Sequence, residues 1–300
     1  SKEDDQRLAM LRAVLHQTRS KRARPALDDK ILADWNGLMI AALAHAAATF
    51  DEPSWTELAQ RAFRFIATRM TRGDRLGHSW REGRLSFPGL ASDYAAMIRA
   101  ALALFETTGE DAYLAQAVNW QSAFDRHYGN PLTSGYFLTA DDAEGLIVRP
   151  NATADEATPN PNAVAAQNLV RLAALTGDDK RRNQADSLFE GLLPIAATNL
   201  FAHASLLNAL DLRLRGAEIV VTGSSAGAEA LLSAARRLPY VDSIVLHAPT
   251  ADGLPRGHLA RNKIESRIEA AFVCIGERCS LPVTEPSQLA QAVNGMRAGA

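Results

Sequence analysis

Apolar residues between positions 31 and 50 recur at steps of three and four, which is the period of an α-helix. The opposite side of this segment is mostly alanine, so the helix is apolar nearly all round. The pattern predicts a helix that other helices enclose. Its beginning differs from its body, because the stretch DDKILADWNG opens with charged residues, a tryptophan and an Asn-Gly pair.

The next segment, PSWTELAQRAFRFIATRM, has apolar residues on one face only, which predicts an outer, amphipathic helix. The same couple recurs twice, as DYAAMIRAALALFETTG with EDAYLAQAVNWQSAFDRHYG and as NAVAAQNLVRLAALTG with DDKRRNQADSLFEGLL. Trp35, Tyr94 and Asn162 hold equivalent positions near the start of each enclosed helix, so the repeat is about 60 to 70 residues long. Alternating enclosed and outer helices predict a mainly α protein, built over residues 1–215 as a partial α/α toroid.

Two long returns, SWREGRLSFPG and GYFLTADDAEGLIVRP, alternate apolar residues around turn signals, so each is predicted to contain a small β-hairpin. Both lead into the N-terminal end of an enclosed helix, at the mouth of the toroid. From about residue 216 the pattern changes to short β-branched runs, AEIVVTG, DSIVLHAP and AAFVCIG, beside the helix GAEALLSAARRL. These runs predict a small α/β segment over residues 216–300.

The composition fits a folded chain, since 47% of the 300 residues are hydrophobic and 22% are charged. A formal net charge of −2 offers no basic cluster for nucleic acid or an anionic membrane. No stretch approaches the roughly 20 apolar residues that span a bilayer. The N-terminus SKEDDQRL also lacks signal-peptide character, so a cytoplasmic address is predicted.

Two cysteines, Cys274 and Cys279, lie in the motif CIGERC. Their small number agrees with a reducing compartment, and we interpret them as structural thiols. A local disulfide or a metal site is the alternative, although no nearby Cys/His pair completes a zinc set. No metal and no cofactor are predicted.

Several blocks in order resemble one family: RPALDDKILADWNGLMIAALAHAA, FPGLASDYAAMIRAALALFETTGE, GYFLTADDAEGLIVRP with DEATPNPNAVAAQNLVRLAALTGD, and FVCIGERCSLPVTEP. They are similar to the C-terminal half of the thioredoxin-domain-containing, spermatogenesis-associated protein family. The resemblance implies a six-hairpin, glycosidase-like toroid akin to N-acylglucosamine 2-epimerases, in a protein that also has a thioredoxin-like domain. It implies no settled reaction.

The chain departs from the family pattern in two ways. The thioredoxin-like part and the first half of the toroid are absent, so the chain is expected to be a fragment or a shortened member. The family's Pro-Ser-Gly-Asn is replaced here by residues 159–162, Pro-Asn-Pro-Asn, which keeps Asn162 but alters the preceding turn. About eight helices precede residue 216, whereas a closed six-hairpin ring needs about twelve, so an open apolar edge is predicted. That edge predicts a partner: a second copy, the missing half of the toroid, or a thioredoxin-like domain.

The candidate site combines carboxylates, aromatic rings and amides at the mouth, which is the usual equipment for holding a sugar. Asp93 is the candidate base, and His78 or Glu156 is the candidate acid. Helix capping is the alternative role for Asp93, and it would lower the pKa of the carboxyl group. A core position is the alternative for Trp35. The predicted binding residues are Asp29, Lys30, Trp35, Asn36, Trp80, Arg81, Tyr94, Asp155 and Asn162.

Two classes of function follow from these residues. The first is a carbohydrate-active enzyme, because two carboxylates would fit glycoside hydrolysis and a histidine pair would fit epimerisation. The second is a non-catalytic binding or scaffold module that works with a thioredoxin-like domain, and the fold by itself does not separate the two classes.

Overall fold

The computed structural model of the chain describes residues 1–143, 145–238, 243–256, 258–261 and 269–298. The chain forms two compact units, Ser1–Lys30 and Ile31–Ala300. The first unit contains helix α1 (Lys2–Ser20), which begins with a capping box in which the Ser1 hydroxyl accepts the Asp4 N–H. Its side chains are exposed along the whole helix.

The second unit begins with the predicted couples of inner and outer helices. The inner helices are α2 (Ala33–Phe50), α4 (Ala91–Thr108) and α6 (Pro161–Thr176). The outer helices are α3 (Pro53–Arg69), α5 (Asp111–Tyr128) and α7 (Asp179–Ala196), and α8 (Ala204–Arg215) follows. The prediction of a mainly helical partial toroid is therefore confirmed. In the described part of the chain, eight α-helices precede residue 216, as the periodicity predicts.

The Asn-Gly pair at the start of α2 has a packing reason. A Cβ atom on Gly37 would lie 2.7 Å from the main-chain carbon of Ala96, so α2 and α4 approach each other at a point where only hydrogen fits. Alanine-rich faces extend this close contact along both helices, where Ile40, Ala41 and Ala44 are buried. Glycine and alanine therefore set the short distance between the inner helices.

The first predicted hairpin is confirmed: β4 (Ser79–Arg81) and β5 (Arg84–Ser86) pair antiparallel, with Glu82 and Gly83 at positive φ in the turn. β4 also pairs with β1 (Ile31–Leu32), which leads directly into α2. A second short ladder joins β2 (Thr71–Arg72) to β3 (Arg75–Leu76). These strands place residues 78–86 beside the start of α2.

The second predicted hairpin is wrong. In the described residues of 135–150 the return has no strand, and a single isolated bridge joins its residue Tyr136 to Gly129. Side chains bind this segment instead, since the Arg149 guanidinium donates to the main-chain oxygens of Thr139 and His127. Alternating apolar residues predict a strand only where the backbone finds a partner strand.

The predicted C-terminal strands are confirmed, and they form a sheet with the order β7-β6-β8-β9. Its elements are β6 (Ala217–Val221), α9 (Ala226–Arg236), β7 (Ser243–His247), β8 (Ala271–Ile275), β9 (Arg278–Cys279) and α10 (Leu289–Ala298). β6 is parallel to β7 and antiparallel to β8. One face, with Ile244 and Phe272, joins the core of the inner helices, and the other packs beneath α9 and α10. A separate domain over 216–300 stays a prediction.

The interpretation of the cysteines as thiols is wrong. Cys274 and Cys279 lie opposite each other in the β8-β9 ladder, with 4.0 Å between their Cα atoms, and they form a disulfide. Cross-strand pairing brings the two sulfur atoms together, which the sequence spacing alone does not show. Among the described residues, no helix combines the length and the apolar character that crossing a bilayer requires.

Candidate active site at the helix N-termini

Asp93 lies in the first turn of α4, and its side chain is completely buried. Its carboxylate accepts the Leu90 N–H at 2.6 Å and the Asp34 N–H, at the start of α2, at 3.0 Å. It also lies 3.0 Å from Nδ1 of His78. One carboxylate therefore satisfies amide groups at the N-termini of two inner helices and orients an imidazole ring.

The pKa of Asp93 is raised to about 6, because burial outweighs the hydrogen bonds that His78 and Leu90 make to the carboxylate. The lowered pKa that capping predicts is therefore wrong. A capping carboxylate has a low pKa when water also solvates it, whereas this one is fully removed from water.

His78 precedes β4 and is fixed by its main chain as well as by Asp93. Its carbonyl oxygen accepts the Ala33 N–H at 3.0 Å, and its N–H donates to the Ser86 oxygen at 2.9 Å. The imidazole has 30% of its surface exposed, while its carboxylate partner has none. This is the arrangement of a general acid or base that a buried carboxylate holds in place.

Two predicted residues, Trp35 and Asn36, lie at the start of α2 beside Asp34. Trp35 is 62% exposed, so the alternative interpretation of this residue as core is wrong. Asn36 donates from its side-chain nitrogen to the Leu32 oxygen at 2.8 Å. Asp34 accepts the Trp35 N–H at 2.8 Å and lines a cleft of about 20 Å³ with Ser92 and Thr158. That cleft holds little more than one water.

The structure gives Tyr94 and Asn162 roles in the fold that differ from the predicted contact with a ligand. Tyr94 is fully buried; its ring stacks on Phe124 at 5.5 Å, and its hydroxyl accepts the Leu76 N–H at 3.1 Å. Asn162 is also fully buried, and its amide clamps Tyr136 by accepting its N–H at 2.7 Å and donating to its oxygen at 3.1 Å. Tyr94 and Asn162 therefore face the core, whereas Trp35 of the first repeat is exposed.

Trp80 is half-buried, and its ring packs edge-on against Phe65 of α3, with 6.2 Å between the ring centres. This contact packs the hairpin against α3. Arg81, the next residue of β4, is exposed. Both residues lie in strand β4, which directly follows His78 and leads into the hairpin turn.

Asp155 and Glu156 lie in the segment before α6. The Asp155 carboxylate accepts the Asn160 N–H and the Ser205 N–H, each at 2.8 Å, so it ties this segment to the start of α8. Glu156 is exposed. It therefore stays a candidate acid.

Asp29 and Lys30 belong to the first unit, where both are exposed. The Lys30 ammonium pairs with Asp28 at 3.3 Å. Because both side chains keep contact with water, the cost of burial that would argue for a functional pair does not arise. Their contact with a ligand stays a prediction.

Among the described residues, one group has the spacing of metal ligands: His127, Asp141 and Asp142. Asp142 already forms two hydrogen bonds with Arg75, at 2.5 and 2.7 Å, and His127 pairs with Asp141 at 2.9 Å. The guanidinium occupies the place where a cation would bind, so this group does not extend the candidate site.

Sequence reasoning missed the charged residues within the bodies of the inner helices. Arg99 and Glu106 in α4 and Arg171 in α6 lie far from the mouth and line a separate cavity. The signal was present in the sequence, because a charge inside an alanine-rich, enclosed helix needs a partner or a function.

Comparison with known proteins gives relatives along nearly the whole chain, although no family model matches. Human spermatogenesis-associated protein 20 is 29% identical over 302 residues, which cover 92% of this chain and 37% of that protein. The uncharacterized protein B0495.5 of Caenorhabditis elegans is 27% identical over 293 residues, 94% of this chain and 40% of that protein. The chain thus spans less than half the length of the relatives that it matches.

Among solved structures, the GH76 α-mannanase BT2949 of Bacteroides thetaiotaomicron superposes with a TM-score of 0.50. The match covers 62% of this chain and 53% of that protein, at 15% identity, so it concerns the fold alone. The resemblance that the sequence blocks indicate is confirmed: the chain is similar to spermatogenesis-associated protein 20, and its fold is a partial α/α toroid like that of the mannanase.

Proposed function

We propose that the mouth of the toroid binds a sugar and that His78 exchanges a proton with it. The observation that supports this proposal is the contact of 3.0 Å between a buried carboxylate, Asp93, and a part-exposed imidazole. A carboxylate at Nδ1 fixes the orientation of the ring and stabilises its protonated form, so the ring can accept a proton and return it. Asp93 acts through His78 and is a positioning residue.

The same geometry favours one class of sugar chemistry. Asp93 has no exposed surface, so it does not reach a glycosidic oxygen or an anomeric carbon. Hydrolysis by a pair of carboxylates needs both groups beside the scissile bond. An imidazole can take the proton from the carbon beside a sugar carbonyl, which leaves an enediolate. Return of the proton to the neighbouring carbon, with the hydroxyl proton moving between the two oxygens, gives the isomer, and delivery of a proton by a second acid to the opposite face of the first carbon gives the epimer. Each of these steps needs one acid or base group. We therefore favour an epimerase- or isomerase-like reaction over hydrolysis.

The proposed binding surface is the part of the mouth that water reaches. Trp35 offers an exposed ring on which the apolar face of a sugar can stack. Glu156 is exposed and is the proposed second acid. Asn36, Arg81 and Asp155 stay proposed contacts with sugar hydroxyls. The structural relative is named an α-mannanase, which supports a sugar as the ligand class.

Proton abstraction is tested by incubating reducing mono- and disaccharides with the protein in deuterium oxide and following the loss of the C2 proton signal by NMR. The wild-type protein should exchange this proton for at least one sugar, and His78→Ala should abolish exchange while sugar affinity stays within about threefold. His16→Ala, a change on exposed α1, is the matched control and should exchange normally.

Other outcomes separate the alternatives. Release of a smaller sugar without exchange at C2 would show hydrolysis. Binding of a sugar with no turnover would show the non-catalytic module, for which further toroid hairpins, a thioredoxin-like domain or a second copy remain the proposed partners. If no sugar binds by calorimetry, the proposal is wrong.

A further inference from the structure

A cavity of about 300 Å³ lies between the C-terminal halves of the inner helices and the C-terminal sheet, with walls from α2, α4, α6, α9 and β7. Its volume is at the lower end of the range for small-molecule sites. Asp93 lies in the first turn of α4, whereas the cavity contacts that helix at Arg99 and in its last turns. The cavity is therefore separate from the candidate active site.

The charges on the cavity wall do not balance among the described residues. Three arginines line it, Arg99, Arg171 and Arg236, against a single carboxylate, Glu106. Glu106 is committed to Arg171, whose Nη1 donates to its two oxygens at 3.0 and 3.3 Å. Both side chains are less than a tenth exposed, at 7% and 9%, so this pair is a buried ion pair with little charge to spare.

Among the described residues, Arg99 and Arg236 bond only to uncharged oxygens. Nη1 of Arg99 donates to the Gln167 side-chain oxygen at 2.6 Å. Nε and Nη2 of Arg236 donate to the main-chain oxygen of Glu106 at 3.1 and 2.8 Å. In the part of the chain that the structure describes, neither guanidinium has a carboxylate within 4.0 Å. Among the described residues, the guanidiniums of Arg99 and Arg236 therefore leave two positive charges on the wall.

The two arginines differ in how the fold explains them. Arg236 bonds to a carbonyl in the last turn of α4, where the negative end of the helix favours a cation. Arg99 lies in the middle of α4, where the helix dipole gives no such support. The Nε and Nη2 groups of Arg99 donate to no described acceptor and are not enclosed by protein, so they are accessible from the cavity. These N–H groups of Arg99 are therefore available to a ligand in the cavity.

The titration of the wall agrees with an excess of positive charge. Burial and then the charge of Arg171 lower the pKa of Arg99 to about 10. An anion in the cavity would oppose this shift.

We propose that this cavity binds a phosphate group, either as inorganic phosphate or as the phosphate of a small monoester. A dianion matches the two guanidiniums that lack a carboxylate, and planar guanidinium forks bind phosphate oxygens in pairs. The proposal is independent of the sugar chemistry proposed at the mouth.

The test is calorimetric titration of the whole chain with inorganic phosphate at pH 7.5 and low ionic strength. The wild-type protein should bind phosphate, and Arg99→Gln and Arg236→Gln should each weaken binding at least tenfold. Arg61→Gln, a change of the same type on the exposed side of α3, should bind as the wild type does. Parallel titrations with glucose 6-phosphate and with acetate separate an ester from free phosphate and a dianion from a monoanion.

Absence of phosphate binding at millimolar concentration would overturn the proposal, and so would unchanged affinity in both glutamine variants. Arg99→Lys keeps the positive charge and controls for a folding defect in Arg99→Gln. It should fold, and it should bind phosphate more tightly than Arg99→Gln does. His78→Ala should bind phosphate normally, so the failure of the sugar proposal would leave this result unaffected.

Discussion

Tyr94 and Trp35 lie in the first turns of successive inner helices, yet Tyr94 has no exposed surface and Trp35 is 62% exposed. α5 packs on α4, and its residues Phe124 and Tyr128 cover the aromatic ring at the start of α4. α2 packs on α4 along one flank and exposes Trp35 and Met39 elsewhere. The repeat therefore determines where a residue lies along its helix, and the neighbouring helices determine whether a ligand can reach it.

The aspartates at the same two helix starts repeat the contrast. Asp93 is buried and joins α2, α4 and His78, while Asp34 is half-exposed and uses its carboxylate within its own first turn. The buried members of each pair hold the site together, and the exposed members are available to a ligand. Substitutions at four positions test this division between the two helices: Tyr94, Asp93, Gly37 and Trp35.

Tyr94→Ala should have the largest effect, because it empties a position stacked between Phe124 and Tyr128. Truncation of a buried aromatic ring lowers the free energy of unfolding by about 3 to 5 kcal/mol. Urea unfolding measures this loss. Tyr94→Phe keeps the ring and removes only the acceptor of the Leu76 N–H, so it should cost about 1 to 2 kcal/mol. Equal losses in the two variants would contradict a core role for the ring.

Asp93→Asn should change how stability depends on pH. The folded pKa of about 6 lies above the unfolded value of about 3.9, so the folded state holds this proton more tightly. The stability that protonation contributes is present below pH 4 and is lost as pH rises through 6, about 3 kcal/mol in all. Because asparagine does not titrate, the free energy of unfolding of the variant should rise relative to that of the wild type between pH 4 and pH 8.

Urea unfolding at five pH values from 4 to 8 measures this difference. Asp111→Asn, at an exposed first-turn aspartate of α5, is the control and should differ from the wild type by a constant amount within about 0.5 kcal/mol. A difference between Asp93→Asn and the wild type that stays constant over this pH range would show that the carboxylate is solvated.

Gly37→Ala should destabilise the contact between the two helices themselves. The added Cβ would lie 2.7 Å from the main chain of Ala96, which forces α2 and α4 apart. Overpacking costs about 1 to 3 kcal/mol, partly offset by the higher helix propensity of alanine, so a net loss of about 2 kcal/mol is expected. Gly295→Ala, in α10 with open space around it, should instead stabilise by about 0.5 kcal/mol. Thermal unfolding of both variants compares the two sites.

The helices could be predicted from the sequence because their apolar period and their glycine and proline boundaries are local features. The hairpin at 79–86 was predictable for the same reason, since its Glu-Gly turn is local. The irregular return over 135–150 and the disulfide were not, because each depends on which distant backbone or side chain is opposite. Local patterns define elements, and tertiary contacts define their partners.

The candidate site shows the same limit at the level of single residues. The sequence identified Asp93 and His78 as chemical groups, but their contact joins residues 15 positions apart through a strand and a turn. The raised pKa of Asp93 results from complete burial, which helix periodicity does not encode. The exposure of Trp35 depends on the neighbouring helices. Its spacing in the repeat therefore indicates a core position, although the structure places the side chain at the surface.

Trp35→Ala should have the smallest effect on stability and should define the exposed side of the comparison. Because 62% of the side chain already contacts water, its removal should change the free energy of unfolding by less than about 1 kcal/mol, against about 4 kcal/mol for Tyr94→Ala. If the ring is a stacking platform, the same variant should weaken sugar binding five- to tenfold, whereas Met39→Ala, at a site 60% exposed one turn further along α2, should leave it unchanged. Calorimetry with the sugar that the exchange assay identifies measures both affinities. Equal weakening by the two changes would assign the effect to the apolar flank of α2 as a whole, and a large loss of stability in Trp35→Ala would show that this ring packs as Tyr94 does.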